Sequence, residues 1–193
     1  MTGITEKELG QVDWSRLPAP EDDGAARHLA GTPVPPIPLE ATDGADVSLA
    51  RLPGVTVVYA YPMTGRPGVA LPEGWDAIPG ARGCTPQACA FRDHHAELLG
   101  AGAAQVFGLS TLDRDYQREV AERLHLPFRL LSDAALRLTT ALRLPVMLVD
   151  SATLLKRMTL IIEDGVIAHV FYPVFPPDRN AADVLNWLRA RRG

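Results

Sequence analysis

The 193-residue chain is 47% hydrophobic and 22% charged, a balance that supports a packed core and argues against disorder. Its length suits one domain, and 19 basic against 23 acidic residues give a formal charge of -4, leaving no basic field for nucleic acid or an anionic membrane. The N-terminal residues lack the apolar core of a signal peptide, and the longest apolar stretch, residues 55–61, is too short to span a bilayer, so a cytoplasmic protein is expected.

Residues 1–36 are polar and proline-punctuated and predict an extended arm, with one domain over residues 37–193. Residues 37–40 and 47–50 flank Thr42-Asp43-Gly44 and read as a hairpin, because Asp-Gly favours a tight turn. Residues 55–61, continuous and β-branched, read as a central buried strand. Residues 65–83 hold five glycines and three prolines without periodicity, which predicts a long functional loop. A helix should follow over residues 84–99, then a strand at 105–109 and a helix burying Tyr116, Val120 and Leu124. Leu130-Leu131 predicts a short strand, and Ser132 or Asp133 can cap a helix carrying Leu138, Ala141 and Leu142. Asp164-Gly165 predicts a hairpin between residues 158–163 and 166–172. A last helix over residues 181–191 should bury Val184, Leu185 and Leu188. This order predicts a mixed sheet with helices on both faces.

Cys84 and Cys89 are the only cysteines, and a reducing compartment leaves thiols free unless they are catalytic, redox-sensing or metal-bound. Cys84 follows a glycine-rich loop and precedes helix-forming residues, with Pro86 suited to a first helical turn. A helix N-terminus favours thiolate over thiol, and the thiolate is the nucleophile. A sulfenic acid formed there by peroxide would condense with a second thiol within reach. In a continuous helix the two Cα atoms stand about 8–9 Å apart, beyond the ~7 Å limit for a disulfide, so the first turn must unwind. Four intervening residues argue against a Cys-x-x-Cys redox motif, and His94 and His95 point apart, which disfavours a zinc site. Two buried, unreactive core cysteines stay open as an alternative.

The run Gly83-Cys84-Thr85-Pro86-Gln87-Ala88-Cys89-Ala90-Phe91-Arg92-Asp93 resembles the active-site segment of peroxiredoxins of the bacterioferritin-comigratory, or Q, subfamily. The similarity extends through Val57-Val58-Tyr59-Ala60-Tyr61-Pro62, through residues 126–133 and through Lys156-Arg157-Met158-Thr159-Leu160-Ile161-Ile162. The resemblance implies an α/β thioredoxin-like sandwich with a central mixed β-sheet flanked by helices. It also implies a thiol peroxidase in which Cys84 is peroxidatic, Cys89 resolves it as an internal disulfide and Arg157 stabilises the thiolate and polarises the peroxide. No metal, haem, flavin or nucleotide cofactor is expected in that step. The implied partners are a hydroperoxide and thioredoxin or a similar dithiol reductant, and the chain is expected to be a monomer or weak homodimer.

The family places a proline seven and a threonine three residues before the peroxidatic cysteine, where this chain has Ala77 and Ala81. Pro62 and Thr64 are the expected replacements, with residues 65–83 inserted between Thr64 and Cys84. The inserted prolines, with Val69, Leu71, Trp75 and Ile78, predict an ordered cover, Trp75 either packing it onto the body or acting as a lid. Tyr61 and Phe91 read as core residues near the site, and His125 and His169 as locally satisfied. Two rivals share the fold: a thiol–disulfide oxidoreductase without peroxidase activity, and a redox-sensing binding protein.

Overall fold

A computed structural model describes residues 12–191. Strands β1 (Leu39–Ala41), β2 (Asp46–Val47), β3 (Val55–Ala60), β4 (Ala103–Ser110), β5 (Leu130–Ser132), β8 (Met158–Glu163) and β9 (Val166–Phe171) form one sheet in the order β2-β1-β5-β4-β3-β8-β9. β3 is an interior strand beside the middle strand β4, parallel to β4 and antiparallel to β8. Its β-branched run suits a strand covered on both faces, and Val57, Val58, Tyr59 and Ala60 are fully buried.

Alternation along β3 divides the core. Val57 and Tyr59 face a layer made by α1 (Cys84–Asp93), α2 (His95–Gly100), α3 (Arg114–Arg123) and α5 (Asn180–Ala190). Val58 and Ala60 face the opposite layer, where Leu138 and Leu142 of α4 (Arg137–Leu142) pack with Leu29 and Val34. The expected helix over residues 84–99 is two helices, because His94 (φ -92°, ψ 2°) leaves helical geometry between α1 and α2. The first hairpin is shorter than its hydrophobic pattern predicts: β1 pairs with β2 over two residue pairs, and Leu49–Arg51 forms a 3-10 turn. The β8–β9 hairpin turns on Asp164 and Gly165, both at positive φ (47° and 81°), the backbone that Asp-Gly adopts readily.

A separate ribbon, β6 (Val146–Val149) against β7 (Ala152–Leu155), carries Val149 and Leu154 into a small cluster with Trp75 and Ala81. The arm is extended only in part. It makes a 3-10 turn at Trp14–Arg16, then joins the sheet edge: the Gly31 N–H donates to Ile167 O (2.7 Å) and the Val34 N–H to Gly165 O (2.8 Å). Residues 1–11 of the expected arm, and 192–193, lie outside the described residues.

Candidate active site

Cys84 is the first residue of α1, and Gly83 before it adopts φ +108°. An added Cβ at Gly83 would stand 2.5 Å from Pro177 Cγ and 2.8 Å from Trp14 Cη2, so glycine is required for both its backbone and its neighbours. Pro86 occupies the first turn, as its missing N–H allows. The helix is pinned from within: Phe91 stacks on Tyr59 with centroids 4.4 Å apart and planes 7° from parallel. Tyr59 in turn lies over Gly108 of β4, where a Cβ would stand 2.8 Å from its ring. A Phe→Ala change at such a buried stack costs about 3–5 kcal/mol, so α1 has little freedom to slide.

The Cys84 side chain is buried (4% exposed), and Arg157, between β7 and β8, is buried too (2%). Arg157 Nη2 lies 3.3 Å from Cys84 Sγ, and it also donates to the carbonyls of Gly80, Ala81 and Arg82, each at 3.2 Å. Nη1 donates to Gln87 Oε1. Gln87 Nε2 donates to Asn180 Oδ1 (3.0 Å), which also accepts from Thr159 Oγ1 (2.7 Å). Three buried neutral side chains therefore orient one guanidinium against one sulfur, and Arg157 Nε is buried without a partner among the described residues. A charged donor held this way in a low-dielectric setting acts on the sulfur without first reorganising.

Thr64 is buried (1% exposed) and its carbonyl accepts from Tyr116 OH at 2.6 Å. Its side chain interacts with the Tyr61 hydroxyl, whose pKa is raised chiefly by burial and further by the nearby Cys84, while bonds to Ser110 and Thr64 oppose the shift. Tyr61 OH donates to Gln117 Oε1 at 3.1 Å. Pro62 is buried beside it. Met63 and Gly65, the chain neighbours of Thr64, line a cavity of about 150 Å³ together with Cys84, Thr85, Leu71 and Trp75. The two ends of the insertion thus meet at Cys84.

The insertion lies against the body: Arg123 Nη2 donates to Gly65 O (3.0 Å) and Trp75 is 4% exposed, while Arg82 pairs with Asp76 (2.6 Å) within the insertion itself. Trp75 both packs on the β6–β7 ribbon and lines the cavity. Val69 (62% exposed) departs from the expectation that the loop's apolar residues pack inward, while Leu71, 39% exposed, still lines the cavity. Ala81, at the position where the family pattern has threonine, offers only its carbonyl, 3.7 Å from Cys84 Sγ. Cys89 is half-buried on the same helix, and neither cysteine is in a disulfide. His169 stacks on Trp187 and meets Phe171 edge-on, consistent with a local role.

Sequence reasoning missed Gln87, Asn180 and Thr159. Gln87 carried a readable signal, standing three residues beyond Cys84 and hence on the same helix face. Asn180 carried none, since its partners lie 93 and 21 residues away.

A cysteine at a helix N-terminus, faced by a buried arginine within a thioredoxin-like sandwich, is an arrangement suited to thiol-based redox chemistry. Residues 29–185 match the redoxin family. Peroxiredoxin Q of Sedum lineare, named chloroplastic, is 32% identical over 167 residues, covering 86% of this chain and 80% of that protein. The rice (Oryza sativa subsp. japonica) peroxiredoxin Q, also named chloroplastic, is 32% identical over 162 residues, 83% of this chain, and the chain spans 66% of the rice protein's length. Among solved structures, peroxidoxin BcpB of Mycobacterium tuberculosis superposes with a TM-score of 0.68 at 27% identity, covering 85% of this chain and 98% of that one. The chain belongs to the redoxin family as a peroxiredoxin of the Q, or bacterioferritin-comigratory, type.

Proposed function

We propose that the protein reduces hydrogen peroxide and organic hydroperoxides through Cys84, with Cys89 as the resolving thiol. The observation that carries this reading is the 3.3 Å approach of the buried Arg157 guanidinium to Cys84 Sγ at the start of α1. The Cys84 thiolate attacks the distal peroxide oxygen, the O–O bond breaks, and the leaving alkoxide takes a proton to depart as alcohol, or as water from hydrogen peroxide. Arg157 orients the sulfur through Nη2, which is thereby a charged donor beside the reacting atom. Thr64 and Pro62 belong to the wall of the same site, an assignment supported by the cavity that Met63 and Gly65 share with Cys84.

The Cys84 sulfenic acid then condenses with the Cys89 thiol, releasing water and forming a disulfide. That step requires the first turn of α1 to unwind, since a helix holds the two Cα atoms about 8–9 Å apart. Thioredoxin or a similar dithiol protein would reopen the disulfide by exchange, with no metal or organic cofactor in the cycle. The chain would work as a monomer or weak homodimer in a reducing compartment, which we read as the cytoplasm. Among the described residues no helix is long and apolar enough to cross a membrane.

Stopped-flow oxidation of the reduced protein tests the assignment. Cys84→Ser should abolish peroxide consumption, and turnover near that of the parent protein would remove Cys84 from its role. Cys89→Ser should allow one fast oxidation and then stall as a sulfenic acid that overoxidises. Full thioredoxin-linked cycling without Cys89 would assign resolution to another group.

A further inference from the structure

The N-terminal arm reaches Cys84 from outside the matched family region. That region begins at residue 29, yet Val12 lines the Cys84 cavity and Trp14 sits on Gly83. Trp14 is fixed by contacts of its own. Its Nε1 donates to Asp178 Oδ2 at 2.8 Å, its ring meets Phe175 edge-on at 6.1 Å, and Asp13 caps its 3-10 turn through the Ser15 N–H (3.2 Å). Farther along the arm, Pro20 covers Gly80, and Asp23 binds Lys156 Nζ (2.7 Å), the neighbour of Arg157.

Gly83 is the residue about which the first turn of α1 must open. Trp14 and Pro177 together crowd the face of Gly83 where a side chain would stand, with no room even for a methyl group. Opening that turn therefore means separating an aromatic ring from the hinge backbone and giving up apolar contact in addition to helical hydrogen bonds.

We propose that Trp14 is a positioning residue that holds the first turn of α1 closed and thereby sets the rate at which the Cys84 sulfenic acid reaches Cys89. The inference rests on the resolving role of Cys89 for its kinetic consequence, but not for the closure itself. A closed turn keeps Cys84 against Arg157, which favours peroxide attack. It also prolongs the life of the sulfenic acid, so a second peroxide can convert it to sulfinic acid before the disulfide forms.

The test compares the full-length protein with Trp14→Ala and Trp14→Phe. Amide hydrogen exchange on the reduced proteins reads the closure without any disulfide chemistry. In Trp14→Ala the exchange of residues 87 and 88, whose amides make the first helical hydrogen bonds, should quicken about tenfold while the β3 and β4 amides keep their protection, and Trp14→Phe should retain most of the parent's protection. After a single equivalent of hydrogen peroxide, stopped-flow and mass spectrometry should show disulfide formation about fivefold faster in Trp14→Ala. Less sulfinic acid should accumulate at a given peroxide dose. Unchanged exchange at the first turn, or a rise shared by the whole sheet, would overturn the proposal, as would an unaltered disulfide rate despite local opening. Local opening without a Cys84–Cys89 disulfide in any of the proteins would uphold the positioning role and refute Cys89 as the resolving thiol.

Discussion

Cys84 stands between two unlike walls. On one side Gln87, Arg157, Thr159 and Asn180, each no more than 2% exposed, form a continuous hydrogen-bonded chain inside the sandwich. On the other side the insertion and the arm lie over the sulfur, held by a few apolar contacts and by exposed ion pairs such as Lys156 with Asp23, whose side chains are 35% and 42% exposed. A buried polar chain resists rearrangement, because breaking one link strands the others without water, at about 1–3 kcal/mol per stranded group. Surface ion pairs are worth about 0–1 kcal/mol and break readily. The inner wall therefore fixes charge at the sulfur, and the outer wall governs what approaches it and when it moves.

The largest effect that separates the two walls is expected from Arg157→Met. The aliphatic stem can still pack, so the fold should persist, while the donor to sulfur and peroxide is lost. Deleting one such preorganised donor costs about a hundredfold in the chemical step. The check is the second-order rate constant for peroxide oxidation in single turnover. A rate within a factor of about two of the parent, in a protein that still unfolds cooperatively, would take Arg157 out of the reaction.

The inner wall was half legible. Cys84 and Arg157 could be named because they sit in runs resembling a known active site, and Gln87 lay one helical turn from Cys84. Asn180 and Thr159 were invisible, since only folding the last helix back onto β8 brings them to Gln87. The outer wall was legible as composition but not as geometry. Prolines and apolar residues marked residues 65–83 as ordered, yet nothing local distinguishes Trp75, buried against the ribbon, from Val69, left exposed. The β8–β9 hairpin lies at the other extreme, because Asp164-Gly165 carries its turn conformation in two residues. The β6–β7 ribbon turns at Asp150 (φ 52°) without a following glycine, so it lacked that signal. Long-range pairing also explains the arm: its proline spacing predicts an extended chain, but not the seat of Trp14 on Gly83.

A smaller effect should come from the outer wall at Trp75. Trp75→Ala removes the aromatic surface between the ribbon and the Cys84 cavity and enlarges that cavity. Selectivity should shift toward bulky hydroperoxides, read as the ratio of kcat/KM for cumene hydroperoxide to that for hydrogen peroxide. Proteolysis within residues 65–83 should quicken in the variant. An unchanged ratio, with the parent loop already cleaved rapidly, would mean that the insertion neither covers nor selects.

The smallest effect concerns the far end of the outer wall, where Asp23 joins the arm to the body. Its carboxyl is held well below the usual carboxylate range, chiefly by the hydrogen bond from Lys156 and next by that from Tyr172. Tyr172 shifts the opposite way, first through burial and then through its bond to Asp23, as expected for a phenol donating to a carboxylate. A depressed folded-state value means that the stabilisation is complete above the ordinary carboxylate range, near pH 4, and is lost only as the pH falls through the depressed value. Arm attachment should therefore be indifferent to pH between about 8 and 5. Because the side chain is exposed and screened, Asp23→Asn should raise protease sensitivity of the arm severalfold without a measurable change in peroxide oxidation. The measurement is limited proteolysis of parent and variant across that pH range. A sharp rise in parent cleavage near pH 6 would show that a group other than Asp23 holds the arm, and identical cleavage of the two proteins would show that Trp14 and Pro20 hold it without the ion pair.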